Sequence, residues 1–272
     1  MIRIENLHKS FDGLKVLQDV SFEVGKGEIL ALIGGSGSGK SVLLKHIARL
    51  MRPERGRIFI DGRDLGSLKG KELEEVRSRL GFIFQGGALF DSLTVYENVA
   101  FPLREKTELS ENEIREKVLN ELDQVGLKAA ENKYPAQISG GMAKRVSLAR
   151  SLVRNPEIML IDEPTTGLDP VTSHQILTLI DSCHKRLGFT GIIVTHALIK
   201  VFEIVQKVAM LHEGKILAVG TPDEILSSTD PVVQEFVTFS FECPFPIPDY
   251  ISSRRGTALR QITSGKGKRG IL

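Results

Sequence analysis

The sequence lacks tryptophan, contains only two cysteines among its 272 residues, and carries no strong excess of either charge. The two cysteines, Cys183 and Cys243, are too few for a disulfide framework and favour a protein of a reducing compartment. The 36 basic and 34 acidic residues give a net charge of +2. Nucleic-acid-binding proteins show a clear basic excess, so this balance argues against that class.

Long apolar runs and a leader sequence are also missing. A membrane-spanning helix needs about 20 apolar residues, whereas the longest apolar stretches here, such as residues 28–34 and 158–161, have the length of a strand. The first five residues lack the apolar core of a signal peptide. We therefore expect a soluble chain whose role at a membrane would require a partner protein.

Short apolar runs alternate with segments of helical length along most of the chain, which predicts an α/β fold with a largely parallel sheet. The predicted strands are Ile29–Ile33, Arg57–Ile60, Leu80–Phe84, Ile158–Ile161, Gly191–Val194, Val208–Leu211 and Ile216–Val219. The predicted helices are Ser41–Met51, Glu111–Val125, Gly140–Arg154, Pro170–Arg186 and Leu198–Val205. The first 27 residues and residues 56–62 indicate short strands separated by glycine turns, and they predict an antiparallel flank.

Two segments depart from this alternation. Between about residues 86 and 155 helix signals replace strand signals, which predicts a helical subdomain inserted into the α/β core. From about Phe239 the chain becomes rich in proline and then basic, and residues 241–272 hold six basic and two acidic residues. We expect one domain over residues 1–238, followed by an extension over residues 239–272 that is disordered or becomes ordered on a partner.

The strongest motif is a glycine-rich loop between a predicted strand and a predicted helix. It fits the pattern G-x-x-x-x-G-K-[ST] with Gly34, Gly35, Ser36, Gly37, Ser38, Gly39, Lys40 and Ser41. Glycines let successive backbone N–H groups point at phosphate oxygens, and the N-terminus of the following helix adds positive charge. Lys40 would contact the β- and γ-phosphates, and the Ser41 hydroxyl can bind Mg²⁺. The sequence therefore predicts a site for ATP and Mg²⁺.

A second motif is an apolar strand that ends in two carboxylates, Asp162 and Glu163. Because adjacent strand residues point to opposite sides, we expect Asp162 to face the Mg²⁺ bound by Ser41. Glu163 would then address the water that attacks the γ-phosphate, which a carboxylate can orient and deprotonate. The pair predicts hydrolysis of the bound nucleotide.

Residues 138–142, Ile-Ser-Gly-Gly-Met, resemble the signature motif of the ABC ATPases. Ser139 is a favoured helix N-cap, and Gly140 and Gly141 leave the first N–H groups of the helix accessible to phosphate. In that family the signature of one subunit closes over ATP held by the phosphate loop of the other. The resemblance thus implies a homodimer and a RecA-like P-loop core with an antiparallel β flank and an inserted helical subdomain.

Further residues match the same family in order along the chain. The resemblance implies that Gln85 reaches Mg²⁺ and the attacking water, that His196 lies near the γ-phosphate, and that Phe11 stacks on adenine. It also implies that Asp169, in the D-loop over residues 166–169, binds at the dimer interface. Taken singly, Phe11 also fits the role of a core residue, Gln85 that of a polar loop residue, and His196 that of a hydrogen-bonded surface histidine. Their common order favours the ABC ATPase.

Two departures from the commonest sequence pattern of ABC ATPases indicate which members of the family this chain resembles. The signature ends in Met142, and Gln85 is followed by Gly-Gly-Ala-Leu-Phe-Asp-Ser-Leu-Thr-Val and, at residues 98–104, by Asn-Val-Ala-Phe-Pro-Leu-Arg. These runs look like the ATPases of Mla and Mce-type phospholipid transporters and their chloroplast relatives. The resemblance implies lipid transport through a separate integral membrane permease, with an MCE-domain lipid-binding protein as a partner. The chain would then act on the cytoplasmic side of the inner membrane.

Two other functions are weighed against lipid transport. An ATPase of an importer for a small polar solute such as an amino acid would have the same chemistry and another permease. An ABC protein acting on nucleic acid or the ribosome usually carries two ATPase halves or a long coiled coil, and this chain has neither. We therefore expect no nucleic-acid partner.

Three features have more than one interpretation. Leu89 and Phe90 fit either a contact with the permease or the core of the helical subdomain. Ala197 stands where many ABC ATPases have aspartate, which puts the fine tuning of His196 in doubt rather than hydrolysis. The basic extension would wrap the sister subunit, touch anionic lipid or another partner, or stay disordered.

Overall fold

The computed structural model describes residues 1–196 and 198–241. Its strands are β1 (Ile2–Phe11), β2 (Leu14–Val24), β3 (Ile29–Ile33), β4 (Arg55–Ile60), β5 (Arg63–Asp64), β6 (Leu80–Ile83), β7 (Ile158–Asp162), β8 (Thr190–Val194), β9 (Lys207–His212) and β10 (Lys215–Gly220). Its α-helices are α1 (Lys40–Ile47), α2 (Gly70–Ser78), α3 (Val95–Lys106), α4 (Glu111–Gln124), α5 (Gly140–Leu152), α6 (Pro170–Leu187), α7 (Leu198–Val201), α8 (Pro222–Leu226) and α9 (Pro231–Phe241).

The larger sheet has six strands in the order β10-β9-β3-β8-β7-β6. All its pairings are parallel except that of β9 with β10. The strands β3, β7 and β8 are buried over their whole length, as is typical of parallel strands covered on both faces. Their carboxyl ends meet at one edge of the sheet, where the loops after residues 33, 162 and 194 begin. In open α/β sheets this edge is where ligands bind.

The second sheet is an antiparallel flank in the order β2-β1-β4-β5. The flank is confirmed, but the prediction of short strands in the first 27 residues is wrong, because β1 and β2 are 10 and 11 residues long. Their pairing shifts register between Ile4 and Leu7, and Asn6 has a positive φ of 47°. These irregularities interrupt the period-2 pattern of apolar residues, so one long strand has the pattern of two short ones.

Two apolar cores lie on the two faces of the larger sheet. Leu43, Leu44 and Ile47 of α1 pack between the two sheets, whereas α5, α6, α7 and α9 pack on the opposite face. A third core joins α3, α4 and α5 and forms the helical subdomain. Leu89 packs against this third core, while Phe90 is 44% exposed.

Helix α5 is shared by the subdomain and the α/β core, since it packs on α3, α4, α6 and β6. A partly buried ion pair adds a second connection, with Arg186 on α6 donating to both carboxylate oxygens of the buried Glu121 on α4. The start of α3 is fixed by a reciprocal capping box between Thr94 and Glu97, a common device for satisfying the first N–H groups of a helix. The predicted α/β core with an inserted helical subdomain is thereby confirmed.

Several predicted boundaries differ from those in the structure. Helix α1 ends at Ile47 rather than Met51, since Arg49 adopts a φ of 56°, and α7 ends at Val201 rather than Val205. Helices α2, α3, α8 and α9 were not predicted individually, because each contains or begins with a proline or glycine that weakens the helix signal. Helix α9 crosses the predicted domain boundary at residue 238.

Part of the sequence-based prediction concerns residues that the structure does not describe. Ala197, Cys243 and residues 242–272 of the predicted extension lie outside the described ranges. Among residues 1–196 and 198–241, no helix has the length and apolar character needed to span a bilayer.

Candidate nucleotide site

The glycine-rich loop curls between β3 and α1. A Cβ atom on Gly34 would lie 2.0 Å from the carbonyl oxygen of Leu211, so only glycine fits there. Gly37 and Gly39 have φ angles of 76° and 103°, a region that side chains disfavour. The loop therefore keeps a backbone conformation that brings its N–H groups close to the start of α1.

Lys40 is folded back into this loop. Its Nζ atom donates to the carbonyl oxygens of Gly34 at 2.9 Å and Gly35 at 2.8 Å. Burial lowers the pKa of Lys40, and the carboxylates of Glu163 and Asp162 oppose that shift. The ammonium group is thus held inside the loop, where its charge is poorly hydrated and available to an anion.

The buried hydroxyl of Ser38 has no hydrogen-bond partner in the described part of the chain. Buried polar atoms in native proteins are nearly always paired. An unpaired hydroxyl in a loop of glycines beside a lysine is therefore what a binding site for phosphate oxygens would show before the ligand arrives.

Ser41 and Asp162 come together from two elements. The Ser41 hydroxyl, in the first turn of α1, donates to Oδ1 of Asp162 at the end of β7 over 3.0 Å. Burial raises the pKa of Asp162, an effect that the hydrogen bond from Ser41 opposes. A hydroxyl and a carboxylate form an oxygen donor pair of the kind that Mg²⁺ prefers.

Glu163 lies in the turn after β7, and its carboxylate is held by two side chains. His196 places its Nε2 atom 2.7 Å from Oε1, and the Thr166 hydroxyl donates to Oε2 at 3.0 Å. Glu163 has a φ of 49°. Strand alternation does not set the direction of Glu163 as expected, because β7 ends at Asp162 and Glu163 lies in a left-handed turn.

Lys40, Ser41 and Glu163 line one open cavity of about 370 Å³, whereas Ser38 and Asp162 are not among its lining residues. The predicted residues that line it are Phe11, Ser36, Gly37, Gly39, Lys40, Ser41, Gln85, Glu163 and His196. Val16 and Val42 add apolar surface beside Phe11, which is 38% exposed. The cavity thus has an aromatic end, a glycine and lysine centre, and an acidic end.

The signature residues and Asp169 do not line this cavity. Ser139 caps α5 by accepting from the Met142 N–H at 3.3 Å, and Asp169 caps α6 by accepting from two N–H groups at 3.0 Å. The two helix starts abut, since a Cβ on Gly141 would lie 2.6 Å from Cγ2 of Thr172. Ser139, Gly140 and Asp169 are exposed, as a surface that faces another molecule would be.

Three polar residues that were not predicted as site residues, Thr166, Lys144 and Ser147, position the catalytic candidates or the loop after Gln85. Thr166 was placed in the D-loop without a contact to Glu163. On α5, the Lys144 ammonium donates to the carbonyl of Gln85, and the Ser147 hydroxyl donates to the carbonyl of Gly87 at 2.8 Å. These two residues lie three positions apart and therefore on one face of α5, and this spacing is the signal that could have found them.

The residues present fit ATP with Mg²⁺. The glycine loop with its closed Gly34 position, the unpaired Ser38 hydroxyl and the buried Lys40 suit a chain of phosphates. The Ser41–Asp162 pair suits the metal ion, and exposed Phe11 offers a ring face for a base. Among the described residues, no group of three or more histidine, cysteine or acidic side chains is placed to hold a metal ion by itself.

Known proteins resemble this chain closely. The family described as ABC transporter matches residues 17–166. The chain is 44% identical to the "Probable ribonucleotide transport ATP-binding protein mkl" of Mycobacterium leprae over 87% of this chain and 68% of that protein. It is 39% identical to the "Intermembrane phospholipid transport system ATP-binding protein MlaF" of Haemophilus influenzae over 92% of this chain and 97% of that protein.

Another relative and a solved structure extend the comparison. The chain is 40% identical to the "Methionine import ATP-binding protein MetN" of Carboxydothermus hydrogenoformans, over 94% of this chain and 77% of that protein. The fold matches the ATP-binding cassette MJ0796, solved as a dimer in a post-hydrolysis state bound to ADP and phosphate, with a TM-score of 0.75 and 32% identity. This match covers 82% of the chain and 99% of the cassette. The chain therefore belongs to the ABC transporter family, in which it is an ATP-binding subunit that hydrolyses ATP to power transport.

Proposed function

We propose that this ATPase drives the movement of phospholipid through a separate membrane permease, from the cytoplasmic side of the inner membrane. The observation that carries the proposal is the match to the Haemophilus phospholipid-transport protein, which extends over nearly the whole of both chains. An MCE-domain lipid-binding protein would complete the system. The proposal accounts for a chain with a complete nucleotide site and no membrane-spanning helix among its described residues.

The catalytic part of the proposal assigns one role to each group in the cavity. Lys40 and the loop N–H groups bind the β- and γ-phosphates, and Phe11 stacks on the adenine ring. Ser41, Asp162 and Gln85 would hold Mg²⁺, which when bound would neutralise charge on the phosphate oxygens. Glu163 accepts the proton of the attacking water, while His196 and Thr166 keep its carboxylate oriented.

The position of the signature supports a homodimer. Ser139, Gly140, Gly141 and Asp169 lie outside the chain's own cavity, so within one copy they have no phosphate to bind. In a head-to-tail pair each copy would supply them to the other's ATP. Hydrolysis would then remove the negatively charged γ-phosphate that is bound by both copies, and the copies would separate.

Contact with the permease is assigned to a groove beside Gln85. The groove, here called the aromatic groove, has a volume of about 460 Å³ and is lined by Leu80, Gly81, Phe82, Phe84, Ala88, Phe90, Phe101, Pro102, Arg150, Ser151, Arg154 and Pro156. Phe84, Phe90 and Phe101 are 38%, 44% and 39% exposed. Three large apolar side chains exposed together are typical of a surface that another protein covers.

A second candidate cargo is a small polar solute. The relatives named for methionine import and for ribonucleotide transport are as similar in sequence as the phospholipid protein. The nucleotide chemistry would be identical, because the cargo is bound by the permease and its accessory proteins rather than by this chain. The choice between the two therefore rests on the partners.

The test is to purify the Glu163→Gln protein with ATP from its native membranes in mild detergent and identify the bound proteins and lipids by mass spectrometry. A multi-spanning permease together with an MCE-domain protein and phospholipid supports the proposal. A permease with a soluble solute receptor would keep the ATPase and overturn the lipid cargo. The Lys40→Ala protein, purified in parallel, controls for capture that does not depend on ATP.

A further inference from the structure

A second large cavity lies on the antiparallel flank, between strands β1, β2 and β4 and the start of β10. Its volume of about 510 Å³ exceeds that of the nucleotide cavity. Every residue that lines it is polar or charged except Leu17. The two cavities share no lining residue, so this one, here called the flank cavity, is a separate site.

The flank cavity opens where strand β1 is irregular. The pairing of β1 with β2 shifts register on both sides of Lys9, and its pairing with β4 shifts between Glu5 and His8. Asp19, on the facing part of β2, has a positive φ of 58°. Bulges of this kind leave a strand residue unpaired and redirect side chains, and they are common beside functional sites. The irregular pairing thus makes room for a cavity in a sheet that would otherwise be continuous.

A turn from the larger sheet closes one side of the flank cavity. Gln18 donates from its backbone N–H to the carbonyl of Gly214 at 2.7 Å, and from its side chain to the carbonyl of Glu213 at 3.0 Å. A Cβ on Gly214 would lie 2.6 Å from the carbonyl oxygen of Val16, so the turn needs glycine to approach β2 this closely. The approach brings Lys215, the first residue of β10, to the cavity.

Three cations from three different strands line the flank cavity, namely Lys15 of β2, Arg55 of β4 and Lys215 of β10. No carboxylate of the described residues lies within 4.0 Å of their charged nitrogens. Because β2 and β4 are the two neighbours of β1, the backbones of Lys15 and Arg55 lie about 10 Å apart across the sheet. Side chains of this length can converge on an anion held between them.

The two acids of the flank cavity are engaged by other groups. Glu54 accepts from the backbone N–H of Ser10 at 3.0 Å, and its Oε1 atom lies 3.6 Å from Nζ of Lys9. Asp19 accepts from the side-chain amide of Asn6 at 2.7 Å. The Asp19 side chain is largely exposed, so water and salt screen its charge. The cavity therefore has unpaired positive charge that its own acids do not neutralise.

We propose that the flank cavity binds the phosphate chain of a small anion, such as inorganic pyrophosphate or a nucleoside di- or triphosphate, through Lys15, Arg55 and Lys215. The guanidinium offers a planar fork to one phosphate group, and the two ammonium groups act as point charges on the next. Cations spread over about 10 Å suit two or three linked phosphates better than one. The inference concerns a site apart from the catalytic cavity and does not depend on the cargo of the transporter.

The experiment uses the full chain with the Lys40→Ala substitution, which weakens binding in the nucleotide cavity. Inorganic pyrophosphate is titrated at low ionic strength by calorimetry, and the reactivity of each lysine towards an acylating reagent is followed by mass spectrometry. We expect pyrophosphate to bind and to protect Lys15 and Lys215 from acylation. Lys71 and Lys133, which are exposed elsewhere on the chain, should keep their reactivity.

A pair of double variants assigns the binding to the flank cavity. Lys15→Met with Lys215→Met should weaken pyrophosphate binding about 10-fold or more, because charge-assisted hydrogen bonds are lost. The matched control, Lys71→Met with Lys133→Met, removes the same charge outside the cavity and should bind as the parent does. All four lysines are exposed, so both variants should fold, which their thermal unfolding midpoints check.

Titration with ATP in the same proteins distinguishes the two sources of a phosphate chain. The comparison uses the part of ATP binding that the substitutions at Lys15 and Lys215 remove. Equal affinity for ATP and pyrophosphate would identify the phosphates alone as the recognised group, whereas tighter binding of ATP would identify a nucleotide.

Three results would overturn the inference. The first is equal binding of pyrophosphate by the two double variants, and the second is unchanged reactivity of Lys15 and Lys215 in its presence. The third is competition by sulfate as effective as that of pyrophosphate itself, which would mean an adventitious ion only.

Discussion

The Nε2 atom of His196 lies 2.7 Å from Oε1 of Glu163, at the mouth of the nucleotide cavity. The other carboxylate oxygen accepts from Thr166 at 3.0 Å. Glu163 is thus held on both sides by residues of the chain itself, from two different loops. Such preorganisation reduces the ordering that a general base must undergo when the substrate arrives.

Replacing Glu163 with glutamine should abolish turnover while preserving ATP binding. The amide keeps the shape and hydrogen-bonding capacity of the side chain but cannot accept the proton of water, so kcat should fall at least about 100-fold. Steady-state ATPase assays and a nucleotide-binding titration measure the two effects. With ATP the variant should run as a stable dimer in size-exclusion chromatography with light scattering.

Lys40→Ala provides the contrast, since it should weaken ATP binding itself roughly 10- to 100-fold by removing a charge-assisted contact. Near-wild-type turnover in the Glu163→Gln protein would remove Glu163 from its assigned role.

Thr166→Val should lower kcat roughly 10-fold with little effect on the affinity for ATP. Valine has nearly the same shape but cannot donate to Oε2 of Glu163, so one of the two contacts that orient the carboxylate is lost. Thr166→Ser retains the donor and should retain most of the activity. Equal losses in the two variants would mean that packing of the methyl group, rather than the hydrogen bond, is what matters at this position.

Gly141→Ala should destabilise the junction between the starts of α5 and α6. The new methyl group would lie 2.6 Å from Cγ2 of Thr172, and overpacking of this kind costs about 1–3 kcal/mol. The expected result is a lower midpoint in thermal unfolding together with reduced ATPase activity.

Adding Thr172→Ser should restore most of that stability, because serine lacks the colliding methyl. Gly140→Ala is the matched control, with its Cβ at an ordinary 3.5 Å from Leu168. If the double variant is no more stable than Gly141→Ala, steric overlap is not the cause.

Acid should destabilise the fold partly through His46. This histidine is fully buried in α1 with its Nδ1 atom 2.7 Å from the carbonyl of Val42, and burial lowers its pKa in the folded chain. Below about pH 6.5 the unfolded chain therefore binds a proton that the folded chain resists, and stability falls as the pH falls.

The measurement compares unfolding midpoints at pH 7.5 and 5.5. In the His46→Leu protein the loss of stability on acidification should be smaller than in the wild type. His212→Leu, which removes a half-exposed histidine, controls for the removal of a histidine as such. An unchanged pH response in His46→Leu would exclude His46 as a source of acid sensitivity.

Most of the parallel core could be predicted because its strands are continuous apolar runs with polar or glycine-rich ends. The runs at 29–33, 158–162 and 190–194 are buried throughout, so their ends also indicate where the loops of the site begin. The long strands β1 and β2 were harder, since their bulges remove the regular alternation on which strand prediction depends.

The residues of the candidate site that form a contiguous motif could be predicted from the sequence. The contacts that the fold makes between separate segments were harder to predict. The residues from Gly34 to Ser41 follow from their spacing alone. Lys144 and Ser147 contact the carbonyls of Gln85 and Gly87, which are about 60 residues away in the sequence. Thr166 is close to Glu163 in sequence, but their contact depends on the left-handed turn at Glu163. No pattern of residue types specifies the direction in which a left-handed turn points a side chain.

The backbone of Glu163 carries a consequence for the evolution of the chain. A φ of 49° is a conformation that a glutamate adopts at a cost, whereas glycine adopts it freely. Random substitution selected for heat resistance alone would therefore favour glycine at position 163, at the expense of the carboxylate that we propose activates the attacking water. The chain keeps a residue that its own fold disfavours, so activity and robustness are opposed at this one position.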